Sequence, residues 1–422
     1  MSVDDILTIK LNSNDNVATA FNNIAKGEIT QNIKAENDIP KGHKIALKKI
    51  LKGEKIIKYD QIIGLARNDI NIGEHVHVEN TEFKSTEHDY EFSTSIRLPN
   101  FVPESQRPTF DGFKRPNGQV GTRNYIGILT SVNCSATAAR NIANAFDDNI
   151  LSQYPNVDGV VSFTHGTGCG MADSGDGFEA LQRVLLGYIQ HPNLAGVLLI
   201  GLGCEANQIK FLLDAYNLNE NPFFQTMTIQ EMGGLRKTIE EGIKRIHSML
   251  PEINQLKRSP QSVEHLSLAL QCGGSDAWSG ITSNPALGHA ADLLVKNGGT
   301  AVLAETPEIY GAEHLLTRRA INKTVGDKLV DRILWWEDYV SRNKGSLNNN
   351  PSPGNKAGGL TTILEKSLGA AAKGGTTPLN DVLLYAEKAK SKGFLFMDSP
   401  GYDPASVTGQ IATGCNLSLI HI

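Results

Sequence analysis

Ile126–Phe146 reads IGILTSVNCSATAARNIANAF, an apolar run that stops in a small polar turn and passes into a helical pattern. The run reads as a strand covered on both faces, because buried parallel strands are near-continuous Val/Ile/Leu stretches rather than alternating ones. Beyond Cys134, Ser135 is placed as an N-cap, and Ala139, Ile142, Ala143 and Phe146 share one helical face. The same break from apolar run to glycine-rich loop recurs in VVSFTHGTGC (160–169), VLLIGLGC (197–204), LSLALQC (266–272) and IATGC (411–415), and these breaks hold all five cysteines. Ligands of open α/β sheets bind just beyond the carboxyl ends of the strands. The five loops, tipped with Cys, His, Asp, Glu and Asn, are therefore expected to form one site. For any single loop, Gly and Cys could equally serve a tight strand-to-helix turn.

Working outward, strand–helix alternation from about residue 111 predicts a mostly parallel α/β body in two parts, 111–255 and 256–422. Asn284-Pro285 is expected to cap a helix over Ala286–Val295, and 341–359 (SRNKGSLNNNPSPGNKAGG) reads as a long loop, a lid or a disordered segment. Residues 1–90 differ: short alternating runs with turn signals at Asp38–Gly42 and Asn71–Glu74 predict a small all-β domain, with one helix near Val17–Ala25. A polar, proline-containing linker is expected over 91–110. The fold class is thus α/β with a small N-terminal all-β domain.

At 422 residues and 40% hydrophobic, the chain can bury several cores. A net charge of −5 and a pI near 6.1 argue against a nucleic-acid or anionic-membrane surface. No long apolar stretch or basic-then-apolar leader is present in the sequence, so a soluble cytoplasmic protein is expected. The five cysteines read as reduced thiols without paired C-x-x-C spacing, and three or four of them holding an iron–sulfur cluster is an open alternative.

In the first domain, Glu74–Glu79 (EHVHVE) alternates strictly, which on a strand sets His75, His77 and Glu79 on one face. Two neutral imidazoles at i and i+2 can share one first-row metal ion, although a solvated strand face would read the same. His43 heads another alternating run and, by itself, is more simply a satisfied rim histidine. His165, in HGTGCGM, could exchange protons near working pH; its glycines let backbone N–H groups approach an anion. Glu205 and Asn207 (GCEANQ) and Asp276 (CGGSDAWSG) are further loop tips, against which stand helix caps for Asn207 and Asp276. Glu305 and Glu308 follow a strand and are metal or acid–base candidates, Glu308 otherwise being a solvated carboxylate. Arg123 in the Gly121–Asn124 turn, Lys44 and Lys356 are candidate clamps for a carboxylate, whereas Arg318 and Arg319 read as surface residues. Gly201-Leu202-Gly203 does not complete a dinucleotide fingerprint.

The motifs DIPKGHKIAL, IGEHVHVEN, SVNCSATAA, FTHGTGCGM, GLGCEANQ, LQCGGSDAWSGITSNPALG, ETPEIYGAEH and GNKAGGLTTILEKSLGAAAKGG resemble those of the altronate/galactarate dehydratase family over almost the whole chain. The resemblance implies a SAF-type (β-clip) domain on the catalytic body and a divalent metal, Fe2+ or Mn2+. It raises His43, His75 and His77 as metal ligands. It also implies dehydration of a small sugar acid, D-altronate to 2-dehydro-3-deoxy-D-gluconate in hexuronate breakdown, with His165, Glu205 and Asp276 as catalytic candidates. Arg123, Asn124, Lys44, Asn207 and Lys356 are then expected to bind substrate. Galactarate or a related acid, sulfite elimination from a sulfonated hydroxy acid, or an inactive sugar-acid-binding homologue are the alternatives, and a homo-oligomer is compatible. The match ends at Leu417 where family members continue, so the last domain is expected to be incomplete.

Overall fold

The computed structural model describes residues 7–84 and 90–420. The first unit is all β. Thr8–Ile9, Val17–Ala20, Lys44–Ala46 and His75–Val76 form one antiparallel sheet in that order, and Lys55–Lys58, Gln61–Ala66 and Thr81–Glu82 form a second. The helix expected near Val17–Ala25 is instead a strand: Val17–Ala20 is wholly buried between two partners, and ladder pairing outweighs the local helical spacing. Strand geometry also stops early in EHVHVE. Asn80 accepts from His77 N–H and donates to the His75 carbonyl, curling the chain after Val76.

The second unit carries a four-stranded parallel sheet in the order Gly159–Phe163, Tyr125–Thr130, Leu194–Gly201, Phe224–Thr228. Ile126, Ile128, Leu198 and Ile200 pack on one face against Ile142 and the Leu235–Ile253 helix. Leu129, Val197 and Leu199 pack on the other face with Leu185 and Tyr188 of the Asp176–Ile189 helix. Both faces are covered, which is why the strands read as continuous apolar runs. The third unit has a five-stranded parallel sheet, ordered Leu379–Leu383, Gly393–Met397, Thr300–Leu303, Ser267–Gln271, Leu417–Ile420.

Four local expectations change. The five breaks, expected to form one site, lie on two separate sheets, and Cys415 precedes its strand, following the Asp403–Thr413 helix. The 341–359 segment is ordered, with a 3-10 turn at Leu347–Asn349 and a Pro353–Ala357 helix closed by a Ser352/Asn355 capping box. The helix near Asn284 begins at Ser283, and Asn284 instead donates to the Gly369 carbonyl. Arg319 is buried, donating to the Gly374, Gly375 and Thr377 carbonyls with its guanidinium over Phe394. Among the described residues no helix is long and apolar enough to cross a membrane.

The second and third units meet through packed backbone. A Cβ on Gly187 would lie 2.3 Å from the Ala412 carbonyl oxygen, so only glycine lets these helices touch. Beside that contact, buried His191 accepts from Asn193 N–H at Nδ1 and donates from Nε2 to the Cys415 carbonyl at 2.9 Å. Burial, only partly offset by that bond, pulls the imidazole down from 6.5 to about 4. Unfolded chains take up this proton near pH 6.5, whereas the folded protein does so only near pH 4. Stability should therefore fall as pH drops through that window, by on the order of 3 kcal/mol from this group. Thermal melts at pH 7 and pH 4.5 should differ less in His191→Gln than in the native chain, and equal pH sensitivity would remove His191 from the account.

Candidate metal centre

Two glycine loops, one from the first unit and one from the third, touch backbone to backbone. Gly42 has φ +84° and a Cβ there would lie 3.2 Å from the Gly358 oxygen; Gly359 has φ +101° and its Cβ would lie 2.3 Å from the Gly42 oxygen. No other residue meets both demands. Phe21 packs edge-on against Trp278 beside this contact, with ring centroids 5.4 Å apart.

This contact holds His43 at the junction. Its Nε2 lies 3.1 Å from the Ala357 carbonyl oxygen and therefore carries the proton, which leaves Nδ1 as a lone pair 3.0 Å from His75 Nε2. His77 completes a triad, its ring centroid 4.4 Å from that of His43 and 5.4 Å from that of His75. One ring nitrogen from each of the three lies within 4.8 Å of the others, and among the described residues this is the group of His, Cys, Asp and Glu that close on a single-ion site. Buried His77 Nδ1 has no hydrogen-bond partner. Burial first, then His43 and Lys44, pulls His75 down to about 4; burial first, then Lys44 and the two other histidines, pulls His77 to about 3. Both rings are thus neutral near pH 7, the form that binds a metal. An orphaned imidazole nitrogen, two neutral rings and a third oriented by a carbonyl fit a divalent first-row ion.

Lys44, expected to clamp substrate, is already committed. Its ammonium is completely buried, 2.9 Å from Glu365 Oε2 and 2.6 Å from the Gly359 carbonyl, and Lys58 lies 3.0 Å from Glu365 Oε1. Burial pushes the Glu365 carboxyl up, but the two lysines outweigh it and hold it at about 2. Burial lowers Lys44 to about 8 against the pull of Glu365. Glu365 and Lys366 lie on the Ile363–Ala372 helix, whose Leu368 and Ala371 join the first unit's core with Val17, Ile56, Ile63 and Val76.

Further into the third unit, Lys366 is 2.9 Å from Glu308, and both contact Asn350; Lys373 is 3.2 Å from Glu305. Glu308 is therefore buried rather than solvated. Cys272 bonds to Glu305, and burial pushes its thiol up to about 11. Tyr59, Cys272, Ser275, Asp276, Glu365 and Lys366 line a small cleft between the two units.

The remaining expected residues divide. Asp276 reaches this cleft, and its Oδ1 accepts from Trp278 N–H and Ser279 N–H within a turn; it does not cap a helix, since the next helix begins at Ser283 after Thr282. Lys356 is on the short helix whose Ala357 carbonyl meets His43. His165, Glu205 and Asn207 lie on the second sheet's loops instead. His165 Nε2 donates to the Thr130 carbonyl, while Nδ1 accepts from Thr167 N–H. Buried Glu205 accepts from Ser131 Oγ, Leu202 N–H and Gly203 N–H. Asn207 donates to the Ser131 carbonyl. Arg123 and Asn124 precede the Tyr125–Thr130 strand, at the opposite end of the sheet from those loops. Arg123 is exposed beside Asp158, and Asn124 is fully buried against Arg115.

Sequence reasoning passed over Lys58, Glu365, Lys366 and Lys373. The available signal was charge inside the small-residue run LEKSLGAAAKGG (364–375), where a buried helix has no use for it without partners.

Comparison with known proteins agrees with this architecture. The altronate/galactarate dehydratase SAF domain matches residues 6–84. The second domain of D-galactarate dehydratase/altronate hydrolase matches 112–254, and the D-galactarate/altronate dehydratase C-terminal domain matches 263–421. The chain is 38% identical to the altronate dehydratase of Bacillus subtilis (strain 168), over 97% of its own length and 82% of the relative's. It is 36% identical to the altronate dehydratase of Escherichia coli (strain K12), over 97% and 82%. It is 34% identical to the galactarate dehydratase (L-threo-forming) of the same organism, over 97% and 80%. A lyase built as a SAF domain on an α/β body is the class that emerges. The chain belongs to the altronate/galactarate dehydratase family and is an enzyme of the hydro-lyase kind.

Removing Glu365 leaves two buried lysines unpaired. Glu365→Ala should lower unfolding stability by about 3–5 kcal/mol. Denaturant unfolding followed by circular dichroism checks this, and a loss below about 1 kcal/mol would show the lysines to be relieved by water.

Proposed function

We propose that the protein dehydrates a sugar acid, with D-altronate as first substrate and 2-dehydro-3-deoxy-D-gluconate as product, and that His43, His75 and His77 hold its divalent metal. The convergence of three histidines where the first unit meets the third, at the Ala357 carbonyl, carries this reading. Fe2+ or Mn2+ suits the all-nitrogen ligand set beside oxygen-rich substrates.

Dehydration across C2 and C3 must remove a weakly acidic proton beside a carboxylate, and negative charge builds on that carboxylate as the proton leaves. The metal, when bound, supplies Lewis-acid stabilisation of that charge. On the cleft wall, Lys366 is the cation suited to the substrate carboxylate, held in place by Glu308 and Asn350. Asp276, with Oδ1 fixed by two backbone N–H groups, retains Oδ2 as a base for the C2 proton. Backbone contact between Gly42 and Gly359 seats His43 against the third unit, so the ligand geometry is set before substrate arrives. Lys356 borders the His43 side and is assigned to the far end of the substrate.

Similarity to a galactarate dehydratase favours galactarate as the second substrate to try. A cytoplasmic location goes with this catabolic role. His75→Ala and His77→Ala should each cut bound metal and lower kcat by at least about 100-fold, with circular dichroism unchanged. Metal analysis and a colour assay for 2-keto-3-deoxy acids on altronate and galactarate test both parts. Full metal content and turnover in both variants would end the assignment.

A further inference from the structure

Folding sorts the five cysteines into two groups. Cys272 is bonded to Glu305, and Cys415 is buried, its thiol pushed up to about 12 by that burial; both belong to the third unit. Cys134, Cys169 and Cys204 are all exposed, and each follows the carboxyl end of a strand. Their three strands, Tyr125–Thr130, Gly159–Phe163 and Leu194–Gly201, are adjacent in the second sheet.

The three loops are laced to one another. Asn133 N–H donates to the Thr167 carbonyl at 2.9 Å, and Ala206 N–H donates to the Cys169 carbonyl at 2.9 Å. Asn207 Nδ2 donates to the Ser131 carbonyl, and Glu205 fastens Ser131, Leu202 and Gly203 from beneath. Each cysteine thus stands within two residues of a bond to a neighbouring cysteine's loop.

Two observations point to a ligand on this rim. A Cβ on Gly166, Gly168 or Gly170 would meet nothing within 4 Å, and none of the three has a left-handed φ. Neither crowding nor backbone conformation within the protein calls for glycine there, whereas close approach by a bound group does. Buried Asn207 Oδ1 has no hydrogen-bond partner. Helices Ala136–Asn144, Asp176–Ile189 and Ile209–Tyr216 begin just beyond the three cysteines, and their amino ends favour negative charge.

We propose that Cys134, Cys169 and Cys204 bind an iron–sulfur cluster of the [4Fe–4S] type, with one iron left free of a protein thiolate. A single ion does not suit them. Thiolates about 2.3 Å from one ion can be no more than about 4.6 Å apart, and among the described residues only the histidine triad gathers ligand atoms within 4.8 Å. A cluster takes one thiolate on each of three irons and so spans wider-set ligands. The site is separate from the histidine triad and does not rest on it.

The test is anaerobic reconstitution of the full chain with iron and sulfide. Expected are a broad absorption near about 400 nm and about four iron and four acid-labile sulfide per chain. Cys134→Ser, Cys169→Ser and Cys204→Ser should each lose most of that absorption and sulfide, with circular dichroism unchanged. Cys272→Ser, Cys415→Ser and His75→Ala should keep both. The proposal is overturned by a native chain that stays colourless, by iron bound without labile sulfide, or by full absorption in all three rim variants.

Discussion

One carboxylate joins the first unit to the third. Glu365 has no exposed surface and lies between Lys44 and Lys58, so an acid of the body is neutralised by two bases of the β unit. Taking such charges out of water is unfavourable unless every partner is present. Docking in any other register would bury one of these charges without its partner, so the pairing selects one register. Thr361, through its N–H and hydroxyl, fixes the same carboxylate from the body side. Around this pair the Gly42–Gly359 contact closes, and the histidines follow.

That docking explains how three histidines from short strands and turns come together. His75 belongs to a two-residue strand and His77 to the turn behind it, neither rigid by itself. His43 is oriented by a carbonyl from a different unit, so the imidazole that would complete the ligand set depends on the interface rather than on its own strand. The buried pairs Glu308–Lys366 and Glu305–Lys373 continue this polar seam into the third sheet. Glu305 takes a left-handed backbone, φ +71°, a conformation kept only where surroundings over-determine it.

The second unit carries its polar loops on a separate sheet end. His165, Glu205 and Asn207 tie those loops to the sheet, which gives these residue types a reason to stand at loop tips without meeting the histidines. Residue type and position alone do not distinguish a side chain that holds a loop from one that faces a substrate.

Much of the architecture was written in local pattern. Continuous apolar runs such as Val197–Ile200 are covered on both faces, and 3.6-residue periodicity such as Ala139–Ile142–Ala143 selects a core-facing helix, so the parallel body could be read directly. The histidine pair stood out in the sequence by its spacing, although a turn through Asn80 after Val76, not strand alternation, shapes the chain at His77. Pairing across hundreds of residues leaves no periodic trace, and only the tertiary structure decided it. Lys44 and Glu365 are 321 positions apart, and nothing near Lys44 says whether it meets a carboxylate or a substrate. The same holds for the cysteines: five similar breaks in sequence became three on one rim and two elsewhere, because strand order in a sheet is set by crossovers and packing, not by the residues at the break.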